Sequence, residues 1–266
     1  FEDLIAMNAL YRPGPMDNIP TYIARKEGHE EIDYIHPVFE EILKPTYGIA
    51  VFQEQVMQMA REIAGYSLGE ADALREAMSK KSQRAMDEHR TDFIRRAAEH
   101  TGVPNEEADA IFDLMEKFAG YGFNRSHAVA YATLAYQTAY LKAHYPAEYM
   151  AAVLQHEADD KKERDKYLAT CRRMGVTVRP PAINASGEHF TARDGVIYYG
   201  LRHLKHMGAN AAKQITSERA AHGQFADLGD FVERVFACEA PEVTSRCLES
   251  LIKAGAFDAF GDRADL

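Results

Sequence analysis

The sequence predicts a mainly α-helical protein, and three observations support this fold class. Apolar residues recur three and four positions apart through much of the chain, as at Val56, Met59 and Ile63. Glycine, serine or proline separates one periodic segment from the next. Only residues 176–200 carry the alternating pattern that is typical of strands.

The helical segments follow one another along the first two thirds of the chain. The first runs from about Phe52 to Gly65, and Pro104 followed by Asn105 and two glutamates marks a later helix start. Further helices are predicted at residues 71–78, 86–98, 108–118, 128–144 and 147–156, and another ends at Gly175. A small β hairpin is predicted next, because apolar residues alternate around the turn-forming pair Asp194 and Gly195.

The C-terminal part repeats one arrangement of helix, glycine-containing turn and helix. Residues 201–205 and 209–222 flank the turn at Gly208, and residues 243–253 precede a second turn at Gly255. This pattern resembles a tandem helix-hairpin-helix, which offers backbone N–H groups to DNA phosphates.

The predicted DNA-binding residues of these hairpins are Lys205, Gly208, Lys253 and Gly255. The second hairpin is expected to contribute more, because His206 stands where the first would usually have its leading glycine. The same pattern also suits two α-hairpins that only pack against each other, and that alternative stays open.

Composition limits the possible functions. The chain has 31 lysine and arginine residues against 41 aspartate and glutamate residues, a net charge of −10, which argues against a surface that binds nucleic acid everywhere. Three cysteines without a C-x-x-C pair argue against a disulfide framework and against a thiolate zinc site, and a reducing, cytoplasmic location is expected. The sequence contains no apolar run of membrane-spanning length, so no membrane partner is expected.

A glycine-containing loop at residues 120–127 precedes the helix predicted at 128–144. The predicted nucleotide-binding groups at this helix N-terminus are those of Asn124, Arg125, Ser126, His127 and Tyr131. His127 and Tyr131 are four positions apart and therefore share one helix face. The alternative is that Asn124 or Ser126 only caps the helix while the tyrosines pack in the core.

A second basic cluster, Arg75, Lys80 and Lys81, lies at the end of a predicted helix. Cations there also stabilise the negative end of the helix dipole, so a solvated surface is the simpler explanation. Phosphate loops of the G-x-x-x-x-G-K-[ST] type and H-E-x-x-H metal motifs are absent from the sequence.

Six motifs in one order resemble the family C DNA polymerases, the alpha subunits of bacterial replicative DNA polymerase III. They are ALYRPGP at 9–15, TYGIAVFQEQVM at 46–57, ADALR at 71–75, FAGYGFNRSHA at 118–128, LKAHYP at 141–146 and LIKAGAFD at 251–258. The resemblance covers essentially the whole chain and implies the fingers region with a tandem helix-hairpin-helix.

The resemblance also implies partners and a division into segments. Incoming deoxynucleoside triphosphate, primer-template DNA and the rest of the polymerase chain are the expected partners, with the sliding-clamp site outside this piece. The segments implied are a palm-to-fingers junction at 1–50, a helical fingers core at 51–175, the extended segment with its hairpin at 176–200, and the hairpin pair at 201–266.

In this family the Mg²⁺-binding catalytic aspartates belong to the palm, so the resemblance implies no catalytic or metal-binding residue here and no cofactor in this fragment. Two departures reduce positive charge. Arg75 is followed by Glu76 where the family usually has two arginines, and residues 79–82 read SKKS instead of GKKK. The competing hypothesis is a non-enzymatic DNA-binding or scaffolding module built on the hairpins.

Overall fold

The computed structural model describes residues 1–80, 83–237 and 241–263. Within these residues the chain forms thirteen α-helices and one three-stranded sheet, which confirms the predicted mainly α fold. It divides into two compact units, residues Phe1–Tyr136 and Gln137–Leu266. In the described residues, no helix is both long and apolar enough to cross a membrane.

The first unit consists of helices joined by short loops. Its α-helices are α1 (Glu2–Leu10), α2 (Ile19–Lys26), α3 (Val38–Leu43), α4 (Gln53–Ala64), α5 (Leu68–Lys80), α6 (Gln83–His100), α7 (Asn105–Ala119) and the first part of α8 (Arg125–His144). Short 3₁₀ helices at Pro15–Asn18 and Lys44–Thr46 lie between the early helices.

Helix α4 is central to the main core of this unit. Its predicted apolar face is buried, with Met59 and Ile63 completely inaccessible to solvent, and α5, α6 and α7 all pack against it. The helix ends where predicted, because Gly65 adopts a left-handed φ of 64° and its N–H donates to the Arg61 carbonyl.

A second core in the first unit joins α1, α2 and the start of α8. Ile5 and Leu10 of α1 pack with Tyr22 of α2 and with Ala128 and Ala132 of α8. The small alanine side chains let α8 approach closely, and this contact fixes the start of α8 beside the N-terminal helices.

The second unit combines helices with the small sheet. After the remainder of α8 its elements are α9 (Pro146–Glu157), α10 (Lys161–Arg173), β1 (Thr177–Arg179), β2 (Thr191–Arg193), β3 (Val196–Tyr198), α11 (Ala209–His222), α12 (Leu228–Phe236) and α13 (Ser245–Ala254).

The predicted hairpin is present as β2 and β3, which pair antiparallel across the turn at Asp194 and Gly195. Both turn residues have positive φ values, 51° and 75°, as a tight primed turn requires. The extended stretch predicted before the hairpin includes β1, which pairs in parallel with β3. The sequence did not indicate this parallel pairing, because the alternation within a short strand does not specify its partner.

The predicted helix at 201–205 is only a 3₁₀ turn at Leu201–His203, and His206 then enters the left-handed region at φ 63°. The helix predicted at 209–222 is confirmed with the same bounds as α11. Helix α12 was not predicted. It buries Phe231 and Val235 against the core of α11 and α13.

Candidate functional site

The loop between α7 and α8 is fixed to the start of α4 by backbone hydrogen bonds. Phe123 N–H donates to the Val51 carbonyl at 3.1 Å, and Gln53 N–H donates to the Phe123 carbonyl at 3.0 Å. A Cβ at Gly122 would lie 3.1 Å from Gln53 Cγ, so a side chain at this position would require the Gln53 side chain to shift. The predicted loop therefore has a defined position.

Arg12 contacts this loop at Tyr121 and Phe123. Its guanidinium donates to the Tyr121 carbonyl at 2.7 Å and lies over the Phe123 ring, 4.5 Å from the centroid. The Tyr121 ring also covers Gly14, which has a φ of 96° and no room for a side chain. The motif at residues 9–15 thus supports the loop at 120–127.

The buried side chain of Gln55 organises the segment to which the loop is attached. Its Oε1 accepts the N–H groups of Val51 and Phe52 at 2.8 and 2.9 Å. Its Nε2 donates to the Ile42 carbonyl at 3.1 Å and to Thr46 Oγ1 at 2.8 Å. All four bonds are made inside the core, so the side chain fits only this arrangement.

Asn124 caps α8, as one of the alternatives from the sequence proposed. Its Oδ1 accepts the N–H of His127 at 2.9 Å, and its Nδ2 donates to Glu54 Oε1 at 3.2 Å. Ser126 is exposed. The tyrosine part of that alternative does not hold for Tyr131, whose side chain is 56% exposed and not in the core.

Arg125 meets two carboxylates at the start of α8. Its backbone N–H donates to both oxygens of Glu54, at 3.0 and 3.1 Å, and its guanidinium pairs with Glu2 at 2.8 Å. A carboxylate therefore already lies at the positive end of this helix, where the dipole favours negative charge. Both ion-pair partners are about half exposed, so solvent and solutes reach the pair.

Three rings line the exposed face that follows. The Phe123 and His127 ring centroids are 5.4 Å apart, and those of His127 and Tyr131 are 4.6 Å apart with a tilt of 56°. The prediction that His127 and Tyr131 share a face is confirmed by this contact. The Arg125 guanidinium, the exposed His127 and Tyr131 rings and the N-terminus of α8 thus occur together.

The second basic cluster is only partly described. Arg75 lies on α5 and pairs with Asp72 one turn earlier, at 2.8 Å. The side chain of Lys80 and the whole of Lys81 lie outside the described residues. Convergence of Arg75, Lys80 and Lys81 with the loop at 120–127 therefore stays a prediction.

The turn of the first C-terminal hairpin is open. Gly208 is exposed and precedes α11 as its N-cap with no side-chain cap, and a Cβ built on it would meet nothing within 4 Å. Lys205 is also exposed. The first N–H groups of α11 consequently face space that a ligand could fill.

The turn of the second hairpin is closed. Gly255 is buried with φ 81°, and its N–H donates to the Ile252 carbonyl at 2.9 Å. The ion pair between Arg263 and Asp258 lies directly against it. These contacts weigh against the expectation that the second hairpin contributes more, because its glycine N–H is already used.

The lysine of the second hairpin is paired with a carboxylate. Lys253 forms an ion pair with Glu249 one turn earlier on α13. This contact lowers the pKa of Glu249, and the charges of His206 and Lys205 lower it further.

Sequence reasoning missed the residues that support the loop. Glu2, Arg12 and Glu54 lie far from residue 124 in sequence, and the only signal for Glu54 was an acidic residue in the first turn of α4. Among the described residues there is no group of three or more His, Cys, Asp or Glu side chains that could hold a metal ion.

The comparisons with known proteins match both parts of the chain. Residues 1–117 match the bacterial DNA polymerase III alpha subunit finger domain, and residues 175–266 match a helix-hairpin-helix motif. The chain is similar over its full length to DNA polymerase III subunit alpha of Thermus aquaticus, with 52% identity, and of Chlamydia pneumoniae, with 48% identity. For the protein of the same description from Caulobacter vibrioides, 97% of the chain aligns with 46% identity.

The chain spans about a fifth of these relatives, 22%, 21% and 22% of their respective lengths. The two matched regions follow each other in the order in which the sequence motifs predicted them. The chain thus belongs to the bacterial DNA polymerase III alpha subunit family and comprises a finger domain followed by a helix-hairpin-helix motif.

Proposed function

We propose that this chain is the part of a DNA-directed DNA polymerase that binds the incoming deoxynucleoside triphosphate and holds primer-template DNA. The observation that carries the nucleotide role is the joint exposure of Arg125, His127 and Tyr131 at the start of α8. A guanidinium and helix N–H groups suit a triphosphate, and the two rings suit a sugar or base.

Binding at this position involves replacing one anion by another. The carboxylates of Glu2 and Glu54 now satisfy the Arg125 guanidinium and N–H. A triphosphate carries more negative charge than either carboxylate and can take their place on Arg125. Asn124 can keep the helix capped through its bond to the His127 N–H when the carboxylates are displaced.

Helix α5 is proposed to supply further positive charge. Only residues 65–67 separate α4 from α5, and the two helices pack together, so α5 runs back along α4 toward the segment that carries the loop. On this basis we propose that Arg75, Lys80 and Lys81 approach the nucleotide phosphates. Arg75 would first leave its pair with Asp72.

We propose that the catalytic step takes place outside this chain. The catalytic Mg²⁺ ions are proposed to be held by palm carboxylates of the complete polymerase, and the four segments 1–50, 51–175, 176–200 and 201–266 keep the roles implied by the family. The purified 266-residue chain should show no Mg²⁺-dependent primer extension in a gel assay. Extension by this chain would place catalytic residues within it.

The nucleotide role is tested by Arg125→Ala in the complete polymerase. Loss of a charge-assisted contact of about 1.5 kcal/mol should raise KM for nucleotide roughly tenfold, because about 1.4 kcal/mol corresponds to a factor of ten. Affinity for primer-template, measured by fluorescence anisotropy, should change less than twofold.

Arg61→Ala is the matched control, since Arg61 is an exposed arginine near the end of α4. It removes the same charge and should leave KM for nucleotide unchanged. If Arg125→Ala instead weakens primer-template binding and leaves KM unchanged, the loop holds DNA and the proposed role is wrong.

The DNA role is proposed for the hairpins. The proposed contacts to the phosphate backbone are made by Lys205, Lys253 and the open turn at Gly208. Gly255 instead ends α13 in a left-handed conformation and makes no proposed phosphate contact. Binding of duplex DNA should be independent of sequence, with a slope of log affinity against log salt of about −2 for two phosphate contacts.

The alternative is a DNA-binding or scaffolding module without a nucleotide role. The lysine double variant and Arg125→Ala distinguish it from the main proposal. Lys205→Glu with Lys253→Glu should abolish duplex binding by the 266-residue chain while KM for nucleotide in the complete polymerase stays unchanged. The alternative would be favoured if Arg125→Ala leaves KM for nucleotide unchanged while the lysine double variant loses duplex binding. Equal duplex binding by all variants would show that the hairpins only pack.

A further inference from the structure

The small sheet of the second unit has one face that packs and one that does not. Ile197 of β3 is completely buried against α9 and α10, so side chains one position away point to the opposite side. Arg179, Tyr198 and Thr191 are direct neighbours across β1, β3 and β2 on this outer face. Arg193, two residues beyond Thr191, lies on the same face.

Both arginines converge on the tyrosine ring. The guanidinium carbon of Arg179 lies 5.5 Å from the Tyr198 ring centroid, and that of Arg193 lies 5.3 Å from it. Both arginines are exposed. Within the described part of the chain neither forms an ion pair or a side-chain hydrogen bond, whereas Arg90 contacts three carboxylates.

A third arginine adds positive charge nearby. Arg219 of α11 donates to the Ile183 carbonyl at 2.5 Å. Burial, and to a smaller extent the charge of Arg193, lowers the pKa of Arg219.

A cavity opens beside the ring. It has a volume of 340 Å³ and is lined by Tyr198, Arg179, Pro181, Gln224 and Phe260 among others. Its walls combine apolar surfaces with the Gln224 amide, a composition that suits a flat heterocycle. The carboxylate of Asp258 also lines the cavity, but it is paired with Arg263.

We propose that this outer face binds single-stranded DNA. Arg179 and Arg193 hold phosphates of one strand, and an unpaired base stacks on Tyr198 at the mouth of the cavity. Guanidinium groups without carboxylate partners are ready to bind phosphate, and a base can meet the ring only when it is not stacked within a duplex. The site is separate from the groups assigned to the nucleotide and to duplex DNA.

The test uses the 266-residue chain and fluorescein-labelled oligo(dT), with anisotropy measured at 50 mM salt. The double variant Arg179→Ala with Arg193→Ala should weaken binding at least tenfold. It should also make the slope of log affinity against log salt shallower by about 1.4, since each phosphate contact on a single strand contributes roughly 0.7.

Arg172→Ala with Arg173→Ala is the matched control, because both arginines are exposed at the end of α10 in the same unit. It removes the same charge and should change affinity less than twofold. Tyr198→Ala should weaken binding about fivefold, whereas Tyr198→Phe keeps the ring and should retain affinity. Circular dichroism establishes that each variant keeps its helix content.

Three results would overturn the proposal. Equal losses in the two arginine double variants would mean that net charge alone attracts the oligonucleotide. Duplex binding that falls as much as oligo(dT) binding, with no effect of Tyr198→Ala, would mean that the face holds a duplex backbone. Failure of the unchanged chain to bind oligo(dT) would exclude the site. Lys205→Glu with Lys253→Glu should weaken duplex binding by a much larger factor than oligo(dT) binding, which keeps this test distinct from that of the hairpins.

Discussion

The start of α8 and the outer face of the sheet both present arginine beside aromatic rings, but their charges are balanced differently. Arg125 at α8 is paired with Glu2, and Glu54 accepts its N–H. Arg179 and Arg193 on the sheet have no carboxylate partner among the described residues. Under the proposed roles, an external anion would displace an internal one in the first region, whereas the second region would need no such exchange.

We therefore propose different roles for the two regions. On this proposal, a ligand at α8 has to displace carboxylates, which would favour a ligand of high charge density such as a triphosphate. An unpaired arginine face accepts any phosphodiester, with an affinity set mainly by salt. Four further changes test this comparison.

The largest effect is expected for Gln55→Leu, which removes the support of the loop while leaving the sheet unchanged. The N–H groups of Val51 and Phe52 would lose their acceptor inside the core. The free energy of unfolding of the first unit should fall by about 3 kcal/mol, measured by urea denaturation.

Gln58→Leu is the matched control, because Gln58 is exposed on the same helix, and it should change stability by less than about 0.5 kcal/mol. Below the unfolding transition, oligo(dT) binding by Gln55→Leu should equal that of the unchanged chain. Equal free energies of unfolding for the two glutamine variants would show that the buried hydrogen bonds of Gln55 make no net contribution to stability.

A smaller effect is expected for Glu54→Gln in the complete polymerase, which makes the α8 region more like the sheet face. Removing a negative charge from the helix N-terminus is worth about 0.3–1 kcal/mol, so KM for nucleotide should fall about two- to fivefold. Glu62→Gln, at an exposed glutamate of the same helix, should have no effect. A rise in KM would show that Glu54 positions the loop instead of competing with the nucleotide.

Glu249→Gln applies the same reasoning to the hairpins. It removes the carboxylate that pairs with Lys253, so duplex DNA should bind about twofold more tightly at low salt. The gain should vanish at high salt, as measured by anisotropy. Glu233→Gln, at an exposed position of α12, controls for net charge, and an equal gain there would contradict the assignment.

The smallest effect concerns acid, which should act on the ion pair between Glu70 of α5 and Arg96 of α6 in the first unit. The Arg96 side chain, followed by hydrogen bonds from Ser67, lowers the pKa of Glu70 to about 2 from its usual value of 4.5. Because the folded pKa is the lower one, this stabilisation is complete above about pH 4.5 and is lost as pH falls toward 2. The stability difference between the unchanged chain and Glu70→Gln, from thermal unfolding, should shrink over this range. A constant difference would contradict the assignment.

Local sequence determined most of the helices. The three- and four-residue periodicity of α4, the left-handed glycine at its end and the turn at Asp194 and Gly195 all depend on neighbouring residues. The same local rules placed the α8 loop at a helix N-terminus and put His127 and Tyr131 on one face. Motif order along the chain was enough to identify the family.

Tertiary structure decided what surrounds each charge. Glu2, Arg12 and Glu54 reach the loop from 70 or more positions away, and β1 exists only because β3 offers it hydrogen bonds. Gly208 and Gly255 look alike in sequence, yet one turn is open and the other is closed by Arg263 and Asp258. Periodicity and turn chemistry act between neighbours, whereas the pairing or exposure of an arginine depends on contacts between distant segments that exist only after folding.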